Sequence, residues 1–353
     1  MKKAYLILEN GRVFEGQSFG AEVAAVGELV FNTEVVGYIE NVCDPSYKGQ
    51  ILLQTFPLVG NYGVIDEDVK GSAQISGYVL REWCEAPSNF RANGTLDEWL
   101  KREGVPGICG VDTREITRII REEGVMNATI AYEVPEDLSA LKAYKVEGAV
   151  AAVSCKEAYT VSAKGEKKYN VTLVDYGTKQ SLPELLSERG CEVKVVPYNT
   201  KAEDILAGNP DGVVLSEGPG DPGENAELVA EIAKLYGKAP IMACGLGHQM
   251  LALSQGAKTY KLLYGHRGAN QPVSQTDGDK TWITSQNHGY AVDAESVVGE
   301  AKINMVNAND GTVMGIDYAP AKAFSVQFHP ESAASPLTPN VLFEKFMSLM
   351  DRR

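Results

Sequence analysis

The sequence predicts an α/β protein: a mostly parallel sheet domain at the C-terminal side, preceded by a smaller strand-rich α+β domain. Three observations predict it. From Tyr169 onward, apolar runs of strand length alternate with amphipathic runs of helix length, the pattern of right-handed βαβ units. Before about residue 135 short strands dominate. Between about 135 and 168 the periodicity fades, and Ser162-Ala-Lys-Gly-Glu-Lys-Lys168 is polar and charged, as in an exposed connection. The predicted division is therefore 1–150, a linker over 151–168, and 169–353. A chain of 353 residues has material for two cores.

In the first part, Tyr5–Leu8 and Arg12–Phe14 flank Glu9-Asn10-Gly11, a hairpin signal. Glu28–Asn32 and Gln50–Gln54 are further short strands. The one clear helix runs from Asp112 to Gly124. Asp112 with Glu115 suggests a capping box, Ile116, Ile119 and Ile120 form the apolar stripe, and Gly124 ends it. In the second part, Val171–Val174, Glu192–Val196, Gly212–Leu215 and Pro240–Cys244 read as strands. Lys179–Arg189, Asn225–Tyr236 and Leu246–Leu253 read as helices between them.

Composition narrows the function classes. A net charge of −14 argues against a nucleic-acid partner, because phosphate binding needs a basic footprint. No apolar run is long enough to span a bilayer, and Glu9-Asn10-Gly11 cuts short the apolar start that a signal peptide would need. Cysteines 43, 84, 109, 155, 191 and 244 are scattered with no C-x-x-C pair, which predicts no metal site and fits a reducing cytoplasm. The four histidines (248, 266, 288 and 329) all lie in the last third, so acid–base chemistry is expected there.

Four segments could carry that chemistry. Pro240-Ile-Met-Ala-Cys-Gly-Leu-Gly-His-Gln249 is a buried strand that meets a helix at a sharp turn, the outline of a nucleophile elbow. Its tip, Gly245, has no side chain. Leu215-Ser-Glu-Gly-Pro-Gly-Asp-Pro222 follows a strand and can turn a backbone N–H toward a ligand. Ala323-Phe-Ser-Val-Gln-Phe-His-Pro-Glu331 brings His329 and Glu331 to one side if the backbone stays extended, a base with its orienting carboxylate. Ile283-Thr-Ser-Gln-Asn-His-Gly-Tyr-Ala-Val292 offers amide side chains suited to recognising another amide, with His288 read as structural.

The order of elbow, Gln-Asn-His-Gly and Phe-His-Pro-Glu resembles class I glutamine amidotransferases, whose triad is Cys-His-Glu. The Gly-Pro-Gly loop, Gly-His-Gln, Tyr264-Gly-His-Arg-Gly-Ala-Asn-Gln-Pro272 and Gln-Asn-His-Gly-Tyr narrow this to the carbamoyl-phosphate synthase small-chain family. Val26–Thr33, Gly37-Tyr38, Asp44-Pro-Ser-Tyr47, Gly60-Asn-Tyr-Gly63, Ser88-Asn-Phe-Arg91 and Asp112-Thr-Arg114 resemble that family's N-terminal domain. The resemblance implies a partner, the large synthetase chain, which uses bicarbonate and ATP and receives ammonia from L-glutamine for arginine and pyrimidine synthesis. It implies no cofactor in this chain. It implies His329 as general base and Glu331 as its orienter, with the N–H groups of Gly220 and Leu246 as oxyanion hole. Glutamine-binding positions carry over onto Ser46, Gly218, Gly220, Leu246, Gln249, Asn287, Gly289 and Tyr290, with the pocket expected between the two domains.

Two departures stand out. The family's elbow reads Gly-Ile-Cys-Leu-Gly-His-Gln, so Gly245 occupies the nucleophile position and Cys244 falls one residue early. Successive strand residues face opposite ways, so Cys244 is expected in the core; the alternative is that it reaches His329. Glu217 stands where the family commonly has Asn. A solvent-facing side chain is the plain reading, while one pointing inward would oppose an oxyanion. Glutaminase activity is expected to be impaired or lost, and Gly245→Cys is the substitution expected to restore it. The alternative reading is a non-catalytic regulatory or structural partner of an ammonia-dependent synthetase.

Overall fold

The computed structural model describes residues 2–331 and 338–351, with the side chains of 338–340 left aside. Two compact units emerge, 1–149 and 150–353.

The first unit is built on a closed barrel. Its strands run in the order Lys3–Leu8, Val13–Gly20, Pro106–Cys109, Gly77–Val79, Gln50–Gln54, Ala25–Asn32 and Met126–Ala131. Closure leaves no open sheet edge. The Glu9-Asn10-Gly11 hairpin is present, with Gly11 at φ +90° and its N–H donating to the Leu8 carbonyl at 2.9 Å. The helix Thr113–Glu123 is capped by Asp112, whose carboxylate accepts from the Glu115 N–H at 3.0 Å. Ile116, Ile119 and Ile120 are buried as the stripe requires. A second helix, Leu96–Glu103, escaped the sequence reading although it carries a complete capping box. The Thr95 hydroxyl accepts from the Glu98 N–H at 3.2 Å, and Glu98 Oε2 accepts from the Thr95 N–H at 2.9 Å.

The second unit holds a ten-stranded sheet among the described residues. Its centre is parallel: Cys191–Pro197, Tyr169–Asp175, Gly212–Leu215, Ile241–Cys244 and Ala323–Val326. Beyond Ala323–Val326 it continues antiparallel through Val313–Tyr318, Lys302–Asn307, Thr259–Gln275 and Thr281–Val292. The stretch 151–168, expected as a linker, is instead part of this unit. It includes the strand Tyr159–Val161, which pairs antiparallel with Cys191–Pro197 at the sheet edge. Three residues are too few to show a period of two, and the lysines that follow hide them.

Side chains alternate across the sheet as its pleat demands. Ile241 and Ala243 join one apolar layer with Val213, Leu215 and Met250. Met242 and Cys244 join the opposite layer with Val214, Phe324, Phe343 and Phe346. The carboxyl ends of the parallel strands are where open α/β sheets place their ligands.

Candidate active site

Ile241–Cys244 runs straight into the helix Leu246–Ser254, and Gly245 makes the turn between them. Gly245 sits at φ +53°, ψ −115°, a backbone that L side chains rarely adopt. The strained elbow is therefore built even though no side chain stands on it. Its N–H donates to the Val326 carbonyl at 3.0 Å, which ties it to the end of Ala323–Val326. Gly247 lies so close to the preceding loop that a Cβ there would fall 2.5 Å from the Leu215 carbonyl oxygen. Its N–H donates to Ser216 O at 3.0 Å.

The strand expected to deliver His329 and Glu331 stops at Val326. The two residues meet through the turn that follows, not through an extended backbone. His329 Nδ1 faces Glu331 Oε1 at 3.1 Å, and both side chains are buried. The His329 N–H donates to Ser285 O at 3.0 Å, anchoring the turn on the strand Thr281–Val292.

Glu217 overturns its plain reading. It is 1% exposed and points inward, toward His329 and Glu331. Its Oε1 accepts from the Lys179 N–H at 2.9 Å. A Cβ on Gly245 would lie 2.8 Å from Glu217 Cβ and 3.1 Å from its Cα. Glu217 thus crowds the space that a nucleophile side chain would need. Burial, with the Glu331 charge behind it, pushes the Glu217 carboxyl up to about 8, against the opposing pull of His329. Burial also opposes ionisation of Glu331, but His329 outweighs it and holds that carboxyl below its usual range.

Cys244 lies with the apolar side chains of its layer and is fully buried. Burial first, then the nearby charges of Glu217 and Glu331, drives its thiol well above the ordinary cysteine range. A thiol held protonated is a poor nucleophile.

The other expected positions are placed as follows. Gly218 and Gly220 sit on the loop after Gly212–Leu215. Gly218 packs so tightly that a Cβ would fall 2.4 Å from Tyr176 O, and Gly220 turns at φ +90°. Leu246 opens its helix, where first-turn N–H groups have no intrahelical partner. Gln249 Nε2 donates to Tyr290 O at 2.7 Å and to Gln327 Oε1 at 2.9 Å, so helix, strand and turn are joined. Asn287 and Gly289 lie half-buried on Thr281–Val292, alternating with buried Gln286 and His288. His288 is committed to structure: Nδ1 meets Tyr290 O at 2.7 Å and Nε2 meets Gln286 Oε1 at 3.1 Å. His248 likewise meets Ser325 Oγ at 2.7 Å. Ser46 lies in the first unit, in the short 3-10 turn Pro45–Tyr47, where its N–H donates to Asp44 Oδ1 at 2.9 Å. Gln327 carries no sequence signal of its role, whereas Glu217 is the departure whose inward alternative the structure bears out.

A parallel α/β sheet carrying an elbow, a Gly-Pro-Gly loop and a His-x-Glu turn defines a class I glutamine amidotransferase domain, and that family's description matches residues 172–349. The description "carbamoyl-phosphate synthase small chain, CPSase domain" matches residues 6–130. The chain belongs to the carbamoyl phosphate synthase small chain family. It is 45% identical to the carbamoyl phosphate synthase small chain of Listeria monocytogenes serotype 4b (strain F2365), over 99% of this chain and 98% of that one. It is also 45% identical to that of Clostridium perfringens (strain 13 / Type A), over 98% and 99%. A solved glutamine amidotransferase from Thermotoga maritima aligns at 19% identity and a TM-score of 0.41, covering 52% of this chain and 96% of that one. No helix of the described residues is long and apolar enough to cross a membrane.

Proposed function

We propose that this chain is the small subunit of a carbamoyl phosphate synthase, bound to a large synthetase chain, and that its own hydrolysis of L-glutamine is impaired or lost. The large chain would supply the ATP- and bicarbonate-dependent steps toward arginine and pyrimidines, in the cytoplasm, running on free ammonia. The observation that carries this reading is the elbow tip: Gly245 offers no nucleophile, and Glu217 stands against it. Cys244, the only local thiol, is turned into the core. Removing the nucleophile of a comparable triad costs about 10⁶ in turnover, leaving roughly 10³–10⁴ from binding and oxyanion stabilisation. What remains around Gly245, including His329, Glu331 and the Gly218–Gly220 loop, supports glutamine binding more than its cleavage.

The test is carbamoyl phosphate synthesis by the complex with its large chain, fed with glutamine or with ammonium. Ammonium should support synthesis, with the glutamine-driven rate lower by at least about 10³. Comparable rates from the two donors would sink the reading. If Cys244→Ala then abolished the glutamine-driven rate, Cys244 would be the nucleophile.

A further inference from the structure

Glu217, His329 and Glu331 come together where the elbow lacks its side chain. One ligand-capable atom of each lies within 4.8 Å of those of the other two. Their exposures are 1%, 6% and 8%, so bulk water does little to screen them. Glu217 uses Oε1 for the Lys179 N–H, while its Oε2 is buried without a hydrogen-bond partner among the described residues. Glu331 Oε2 is also buried and without one. Two carboxyl groups so close in a dry site cannot both ionise without a counter-charge; a proton on one of them supplies it, and a divalent cation would take that proton's place.

The donor set narrows the choice of cation. One imidazole and two carboxylates suit a divalent ion of the manganese or zinc kind better than calcium, which takes oxygen ligands, or copper(I), which takes sulfur. Three protein ligands also leave a coordination position open, as catalytic metal sites do. At metal–donor distances of about 2.0–2.2 Å, neighbouring donors sit about 3–3.5 Å apart, so the three side chains need draw in by only about 1 Å. We propose that Glu217, His329 and Glu331 form a divalent-cation site in the place of the missing nucleophile. No motif announced it, because its donors are far apart in sequence and Glu217 became a ligand only by turning inward. The inference shares its site with the functional reading above but is read out on the small chain alone, so either can fail without the other.

The test uses the full chain, stripped with a chelator, dialysed, and titrated with Mn²⁺ while the free ion is followed by electron paramagnetic resonance. Mn²⁺ is the probe because thiolates bind it poorly and the chain has six free cysteines. One equivalent should bind, and Glu217→Gln should weaken binding by at least roughly 10-fold while leaving circular dichroism unchanged. His329→Gln is the second variant, and should weaken binding similarly if Glu217→Gln misfolds. No binding by the parent chain at about millimolar Mn²⁺, or binding unmoved by both substitutions, would overturn the proposal and leave the carboxylates sharing a proton.

Discussion

At the scale of single residues, the chemistry turns on the pair Gly245 and Glu217. The sequence suggests that restoring one cysteine would restore a glutaminase. The structure shows that a Cβ at 245 would meet Glu217 Cβ at 2.8 Å, a contact Asn would keep, and that Glu217 adds a buried carboxyl to the site, which Asn would not. Gly245→Cys alone is therefore expected to stay near the parent's glutamine hydrolysis rate. Combined with Glu217→Asn, it should run at least roughly 10-fold faster than either single substitution, because the opposing carboxyl leaves the oxyanion loop. Equal rates for the single and double variants, measured as ammonia release, would show that Glu217 is only a bystander. The absence of a side chain at Gly245 was legible from the motif register. The direction of Glu217 was not, since a loop residue's orientation depends on where neighbouring strands end.

At the scale of elements, local rules worked where the backbone alone sets the outcome. The elbow, the hairpin at Gly11 and the stop at Gly124 all rest on glycines in the left-handed region of backbone space. Rules that assumed an extended strand through Glu331 failed, because the strand ends at Val326 and a turn brings His329 to Glu331. The helix Leu96–Glu103 shows the value of a cap that was overlooked. Thr95→Ala should cost about 1 kcal/mol of local stability. Amide hydrogen exchange across Leu96–Glu103 should then quicken by about fivefold, the factor that energy implies. Unchanged exchange there would mean that packing of Trp99 and Leu100, both buried, holds the helix without its cap.

At the scale of the molecule, the second unit pins two histidines in its interior. Burial lowers His248 from 6.5 to about 3, and pulls His288 well below its ordinary value. On unfolding below pH 6.5 these rings take up protons that the fold denies them, so the unfolded state binds more protons and stability rises with pH. The His248 contribution is present above about 6.5 and is lost as pH falls toward about 3, and His288 acts in the same direction. Each can add a slope of up to about 1.4 kcal/mol per pH unit in that window. Denaturant midpoints measured from about pH 7 down to about pH 5 should fall, and His248→Asn should fall less steeply. An identical slope in the variant would place the acid sensitivity elsewhere.

The sequence by itself determined the family, the strand-helix alternation of the second unit, the elbow and its empty tip. Those features are written in short-range patterns: period, glycine placement and contiguous motifs. It did not show that 151–168 belongs to the second unit, because a three-residue edge strand has no readable period. Only the tertiary structure decided that Glu217 turns inward, that Cys244 faces the apolar layer, and that Glu217, His329 and Glu331 share one buried space. Those outcomes depend on which strand ends lie side by side, and parallel pairing joins segments far apart in the chain.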